Sequence, residues 1–527
     1  MTGPPTEPLT PRWAWPAALA GLGLAVFAVV ALSGPGRIDV CDGQTRFEVG
    51  RSLVEHGDSA LRDPRVTWSR FPGRSGADFA YYRLPQSVVA AGAILVADAT
   101  GPAAEGRRHF VFALHGAACC GLLAMLYAVA FRRMGLPPRA AVLWAAAGVF
   151  CSPNWYYGTS TFDDILCSVV VVALLVVADR ARTEPGLCRV LIAAVLAGLA
   201  LNCKQPLVAF VLPALALADD PGRSRRSRRL RAGVLMAGAV VGYAGYRWYD
   251  ECKFPAAARA LHAALLEGYP PAFFGNPAAA LLDYLAGPAS GAVWYFPPVL
   301  LVAAGVRVWL KAGGRRRRVA ATGVVTAAAA AGFFSLLTFY KGDVAWGPRY
   351  LTPLFAAGWL LAPVGAAAVG RHVRWLPGAL LAAGFAVQLL ALAVDPVRLY
   401  VWRGAPSWVT HTSSWAHFNM VVAHLPNRPW EIRDALAAPP APAFTPAPTP
   451  TFGVQGIDPP ILPASGPAVV RQYQVWNGLR PWWASLTHLP PADRPVDLGR
   501  TILALAAAAV AGVGLAGVGL SRFRKSD

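Results

Sequence analysis

Lysine is almost missing from this 527-residue chain. It stands only at positions 204, 253, 311, 341 and 525, so arginine carries nearly all the positive charge. Charge of either sign is scarce, at 14% of residues against 55% hydrophobic, which excludes a soluble protein of this length. No expected span has a charge near its middle, so the chain advertises no ion pathway. The eight cysteines contain no CxxC and no metal-ligand spacing. Cys119, Cys120, Cys151, Cys167 and Cys188 lie inside apolar runs, where small buried packing is their role. Cys41 and Cys252 fall outside the runs, where two free thiols are favoured over a disulfide because nothing fixes their separation. His411, His417 and His424 have no ligand-like spacing either, so no cofactor is called for and a divalent metal is neither required nor forbidden. No inner loop is long enough for a nucleotide-binding domain, which argues against a cytosolic nucleotide-sugar enzyme.

What the chain does have is repeated apolar runs of membrane-spanning length, each bounded by arginine clusters. The net charge of +20 therefore does not imply nucleic acid. Its arginines sit in short loops between runs, as the positive-inside bias requires. The sequence predicts an all-α polytopic membrane protein of about twelve transmembrane helices. Spans are expected at about 13–32, 109–131, 138–154, 162–179, 231–249, 290–310, 318–339, 350–369, 374–394 and 499–520. A hairpin of two short helices over 189–220, broken at Lys204-Gln205-Pro206, completes the count, with a single tilted span as the alternative. Both termini are then cytoplasmic. Abundant Ala, Pro and Arg fit a GC-rich bacterial genome and hence the bacterial inner membrane.

The organisation expected is a transmembrane domain over 1–394, including a first outer loop at 34–108. A Pro- and Trp-rich outer segment follows at 395–498, with 437-AAPPAPAFTPAPTP-450 as a semi-rigid linker, then a final helix and basic tail at 499–527. In the first outer loop, 40-VCDGQTRFEVGRSLVEHG-57 reads as a short amphipathic helix. Its Phe47, Gly50, Leu53 and Val54 share one face, which would lie flat on the membrane surface and hold Asp42 at the boundary. The apolar part of 81-YYRLPQSVVAAGAILVADA-99 is too short to span and reads as a second interfacial or re-entrant helix begun by Pro85. Read instead as a true span, it would invert every later loop.

Polar residues gather at the outer ends of the spans. Asp39 and Asp42 precede the first interfacial helix, and Asp163 and Asp164 open the fourth span. Lys204 tips the hairpin, and 340-YKGDVAWGPRYLTP-353 brings Lys341, Asp343, Arg349 and Tyr350 to the start of the tenth. Each has a structural explanation, Asp42 and Asp163 as helix caps above all. Neighbours on a helix point about 100° apart, so only one of Asp163 and Asp164 is expected to face a given cavity. Arg349 follows Pro348 at a helix start, where free N–H groups and a guanidinium make a phosphate-binding corner. Carboxylates and cations meeting at one boundary suit a reaction in which a lipid phosphate leaves and a hydroxyl or amine attacks.

Here the sequence resembles the integral-membrane glycosyltransferases of the GT-C superfamily, in the flavour of the protein O-mannosyltransferases and lipid A aminoarabinose transferases. The resemblance rests on the acidic residue opening the first outer loop, the interfacial helix, and the YYxxxxQS-like segment with Tyr82 and Gln86. The FDD, KQP, 291-GAVWYFPPVLL-301 and WGPRY segments follow in order, to about residue 394. The chain departs from the family at Asp42-Gly43, where an Asp-Glu pair is usual, and around Leu84-Pro85. The resemblance implies a polyprenyl phosphate-linked sugar as donor and an extracytoplasmic glycan, lipid or protein as acceptor. It implies Asp42 as the catalytic base assisted by Asp163. Lys204, Arg349, Tyr350, Lys341, Asp39, Asp164, Tyr82 and Gln86 would then be substrate-binding. The competing readings are a transporter or lipid flippase, which predicts broken mid-membrane helices and repeated halves, and a catalytically inactive scaffold.

Overall fold

The computed structural model describes residues 13–523 except 65, 67–68, 102–103, 184–185, 256–275, 289, 338–344, 397–423, 438–478 and 486–493. Lys341, Asp343, the proline-rich linker and His411 and His417 lie outside the described residues, as does the side chain of Cys41.

The chain is mostly helical. The first helix, α1 (Ala14–Ser33), is apolar throughout and leads into α2 (Cys41–Glu55). A small antiparallel sheet follows, in the order β1-β3-β2, from β1 (Ala60–Leu61), β2 (Arg70–Pro72) and β3 (Asp78–Ala80). This sheet departs from the all-α expectation. Its strands are two or three residues long, too short to leave a period in the sequence. It is held by the Phe71–Phe79 register and by Arg70 Nε on Asp78 Oδ2 at 2.7 Å.

Next come α3 (Leu84–Ala99), α4 (Glu105–Ala113), α5 (His115–Arg133), α6 (Pro138–Phe150), α7 (Asn154–Gly158) and α8 (Asp164–Thr183). After them, α9 (Leu187–Cys203) ends at Lys204, which adopts an extended conformation. A 3-10 turn with Pro206 near its start leads into α10 (Val211–Ala218), so the helix break expected at Lys204-Gln205-Pro206 is present. Then α11 (Arg225–Lys253) runs for 29 residues. Helices Pro277–Ala286, Ala292–Tyr295, Val299–Lys311, Gly314–Ser335, Thr352–Trp359, Ala362–Gly370, Leu376–Ala393, His424–Ala437, Trp482–Ser485 and Leu498–Ser521 complete the described elements.

By length and composition, five of the described helices can cross a membrane: Ala14–Ser33, Glu105–Arg133, Gly314–Ser335, Leu376–Ala393 and Leu498–Ser521. A sixth is added if Arg349–Trp359 and Ala362–Gly370, bent by 67°, form one broken span. Twelve spans were expected, and the difference has local causes. Pro297-Pro298 cuts the segment at 290–310, leaving Val299–Lys311. The helix expected over 138–154 stops at Phe150, and α9 and α10 are short. At its far end α8 carries Asp179, Arg180 and Arg182.

The two terminal spans pack most intimately. A Cβ on Gly21 would come 2.4 Å from the Ala516 nitrogen, so the backbones of α1 and Leu498–Ser521 touch directly, as small residues at four-residue spacing allow. The position of α2 differs from the surface helix expected. Phe47 is fully buried with Ile38, Ala90, Ile94 and Phe112, while Val49 packs with Leu61 and Ala80 on the other side. Its apolar residues are thus spent on protein, against α3 and the sheet.

Candidate active site

The start of α8, the end of α9, the start of α2 and the turn before Thr352–Trp359 meet at one point. Arg349 is 4% exposed and bridges two carboxylates, with Nε 2.8 Å from Asp164 Oδ2 and Nη2 3.0 Å from Asp42 Oδ2. Its guanidinium also lies over the Phe162 ring at 3.5 Å. Lys204 Nζ reaches Asp163 Oδ1 at 3.0 Å and also contacts Asp164 Oδ1. Arg46 Nη2 binds Asp163 Oδ2 at 3.0 Å, with Nη1 3.9 Å from Asp42. Three carboxylates and three cations thus alternate in one mostly buried network.

Each contact follows from local backbone. Lys204 has left its helix, which turns its side chain toward the start of α8. Asp163 lies in the turn before α8 and only Asp164 is helical, so the 100° rule does not separate them and both face Lys204. The expectation that at most one of the pair faces a given cavity holds for the cavity beside the network, which Asp163 lines and Asp164 does not. Arg349 opens a 3-10 turn, not a long helix, and its charge is already matched by two aspartates. The free anion-binding corner expected at Pro348-Arg349 is therefore occupied by the protein's own carboxylates.

Asp42 is the hinge of the network. The Tyr82 hydroxyl donates to Oδ1 and Arg349 holds Oδ2. Burial by itself would push this carboxyl up, but Arg349, Arg46 and the Tyr82 bond outweigh it and hold the group below the ordinary aspartate range. Asp42 is therefore ionised, and 13% of its side chain stays accessible.

Beside the network lies a cavity of about 230 Å³, lined among others by Arg46, Tyr82, Arg83, Gln86, Asp163, Lys204 and Tyr350. Tyr350 stacks on Phe334, with ring centroids 4.9 Å apart, and its face lies 5.5 Å from Lys204 Nζ. Gln86 Nε2 donates to the Thr161 carbonyl at 2.9 Å and lies 3.0 Å from His115 Nε2. Asp39 is brought elsewhere. Its Oδ1 accepts from the Thr161 amide and hydroxyl, both at 2.8 Å, and its Oδ2 binds Arg480 at 2.9 Å. Among the described residues no group of three or more His, Cys, Asp or Glu could hold a metal ion.

Two cations were not singled out from the sequence. Arg46 had a signal, since it stands four residues after Asp42 on the same helix. Arg83 follows the tyrosine pair and lines the cavity, contacting the Leu201 carbonyl and the Tyr246 face at 3.8 Å. Among the described residues it makes no ion pair, unlike Arg46, Lys204 and Arg349.

The glycine at position 43 has a steric reason. A Cβ there would sit 2.3 Å from Thr161 Oγ1 and 3.0 Å from its carbonyl oxygen. Gly43→Ala is expected to cost about 1–3 kcal/mol of stability, measured as a lower unfolding temperature in detergent. An unchanged temperature would mean that Thr161 can move freely.

No family model and no curated protein matches the chain. Among solved structures the chain is similar to the crystal structure of ArnT from Cupriavidus metallidurans in the apo state, at 16% sequence identity, 80% coverage of each chain and a TM-score of 0.44.

Proposed function

We propose that the protein is a membrane glycosyltransferase that moves a sugar from a polyprenyl phosphate-linked donor to an acceptor outside the membrane. One observation carries this reading. The charged cavity adjoins an apolar groove of about 850 Å³ between α3, α8, α9 and α11, and the two share Pro85, Leu166, Asn202 and Cys203. Val88, Val195 and Val241 of the groove are largely exposed. A pocket with charged side chains in its wall, adjoining an outward-facing apolar trough, suits a ligand with an anionic head and a hydrocarbon tail. The outward orientation in this reading is supported by α8. Asp164 at one end belongs to the site, and Asp179 at the other binds Arg133 and Arg315 at the arginine-rich loops. Four turns of α8 separate these two aspartates by about 22 Å. This supports a site on the face opposite the arginine-rich loops, which the positive-inside bias assigns to the cytoplasm.

In the reaction, the acceptor hydroxyl or amine attacks the anomeric carbon from the face opposite the phosphate. The new bond forms as the carbon–oxygen bond to the phosphate breaks, and the phosphate oxygen keeps the electron pair. Asp42 takes the acceptor's proton. The three-on-three network is electrically balanced, so among the described residues lining the cavity Arg83, which makes no ion pair, is the cation that meets the departing phosphate. Lys204 and Arg349 act on it indirectly, by fixing the three carboxylates. Asp163 and Tyr350 border the space left for the sugar.

The test uses purified protein in liposomes with labelled polyprenyl phosphate sugars of different tail lengths. Val195→Trp, which narrows the groove, is expected to raise KM for long-tailed donors by about tenfold, the equivalent of 1.4 kcal/mol, while short-tailed donors are unaffected. Equal effects on both donors, or no transfer by the unaltered protein, would count against a lipid-linked donor.

A further inference from the structure

The outer segment beyond residue 395 reaches back into the base of the site. The guanidinium of Arg480 is fully buried, donating to Thr159 Oγ1 at 2.7 Å and to Asp39 Oδ2 at 2.9 Å, and lying 4.8 Å over the Tyr156 ring. Its neighbours are tied to the end of α1. The Trp482 amide donates to the Gly34 carbonyl, and the indoles of Trp482 and Trp483 donate to the Ala31 and Leu32 carbonyls, each at 2.9 Å. The Arg480 amide donates to the Ala393 carbonyl at 2.9 Å. This short stretch, from the far end of the chain, is thus stapled to three distant segments.

The contact matters because of what Asp39 holds. Its other oxygen accepts both the amide and the hydroxyl of Thr161. The Thr161 carbonyl accepts from Gln86, and its side chain lies against Gly43, next to Asp42. Two residues later come Asp163 and then Asp164, which meet Lys204, Arg46 and Arg349. The turn 159–164 is therefore gripped at both ends, and Arg480 supplies the grip farthest from the cavity.

We propose that Arg480 is a positioning residue for the sugar transfer: through Asp39 and Thr159 it fixes the turn carrying Asp163 and Asp164, so the outer segment completes the site without touching substrate. The inference rests on the glycosyltransferase reading for its second measurement but not for its first. A structural role alone would lower stability, whereas a positioning role also loosens 159–164 and lowers kcat at constant KM. Arg428 supplies the control, being equally buried in the same outer segment and bonded to Glu431 at 2.8 Å and to the Ala391 carbonyl.

The first measurement is amide hydrogen exchange on the full-length protein in detergent, comparing Arg480→Met and Arg480→Lys with Arg428→Met. The Thr161 amide is expected to lose its protection in Arg480→Met and to keep it in Arg428→Met. Arg480→Lys keeps the charge without the fork, so it folds with partial loss and serves if the methionine variant does not fold. The second measurement is transfer kinetics, in which kcat of Arg480→Met falls about a hundredfold with KM for the lipid donor unchanged. Identical exchange over 159–164 in the Arg480 and Arg428 variants would overturn the proposal, as would an unchanged kcat. If the unaltered protein transfers no sugar, the glycosyltransferase reading fails, while the exchange comparison still decides whether Arg480 holds the turn.

Discussion

Asp42→Asn should lower kcat for sugar transfer by about a hundred- to ten-thousandfold while leaving donor binding nearly intact. Asparagine keeps the shape of the side chain and its one oxygen can still accept from either Tyr82 or Arg349, but it cannot take up the proton released by the acceptor. The same argument fixes the pH dependence. Asp42 works as the ionised form, and Arg349, Arg46 and Tyr82 overcome the effect of burial to hold its carboxyl below the ordinary range. Activity is then retained as the pH falls through the normal aspartate range and is lost only below it. Tyr82→Phe removes one of the stabilising bonds and should move that acid limb upward. A limb that stays in place, or an Asp42→Asn enzyme with normal turnover, removes Asp42 from the mechanism.

Arg349→Ala should be the most damaging change to stability, at about 3–5 kcal/mol. The side chain is nearly fully buried and serves Asp42 and Asp164 at once. Its loss leaves two buried carboxylates short of a cation, which costs more than the intact network contributes. Arg349→Lys should recover only part of this. The two carboxylates are bound through different nitrogens of one planar fork, and an ammonium is a single point charge. Thermal unfolding of the two variants beside the unaltered protein checks the order. Equal stability for lysine and arginine at this position would show that only charge, and not the fork, is required.

Much of this centre was legible in the sequence because chemistry-bearing residues are scarce there. With only five lysines in the chain, Lys204 at a Pro-marked break stood out, and it does meet Asp163 and Asp164. Asp42 and Arg349, 307 positions apart, were brought to one boundary by the pattern of spans alone, and they bind each other. What the pattern left out was detail set by packing. Asp39 was expected among the substrate contacts, yet its oxygens bind Thr161 and Arg480, because the last outer residues fold back onto it. No local signal marks such a return across 441 positions. Arg46 and Arg83 were passed over because arginine is common in this chain, so neither looked exceptional. Periodicity also said that α2 has an apolar face, but not that α3 and a sheet of very short strands would cover it in place of lipid.

The most direct test of the whole account is an experimental structure of the protein in lipid with a polyprenyl phosphate bound. The account predicts the phosphate within hydrogen-bond distance of Arg83, about 3 Å, the tail in the groove between α3, α8, α9 and α11, and the acceptor beside Tyr82 and Arg46, within reach of Asp42. A phosphate bound at the arginine-rich opposite face, or a tail outside that groove, would contradict it.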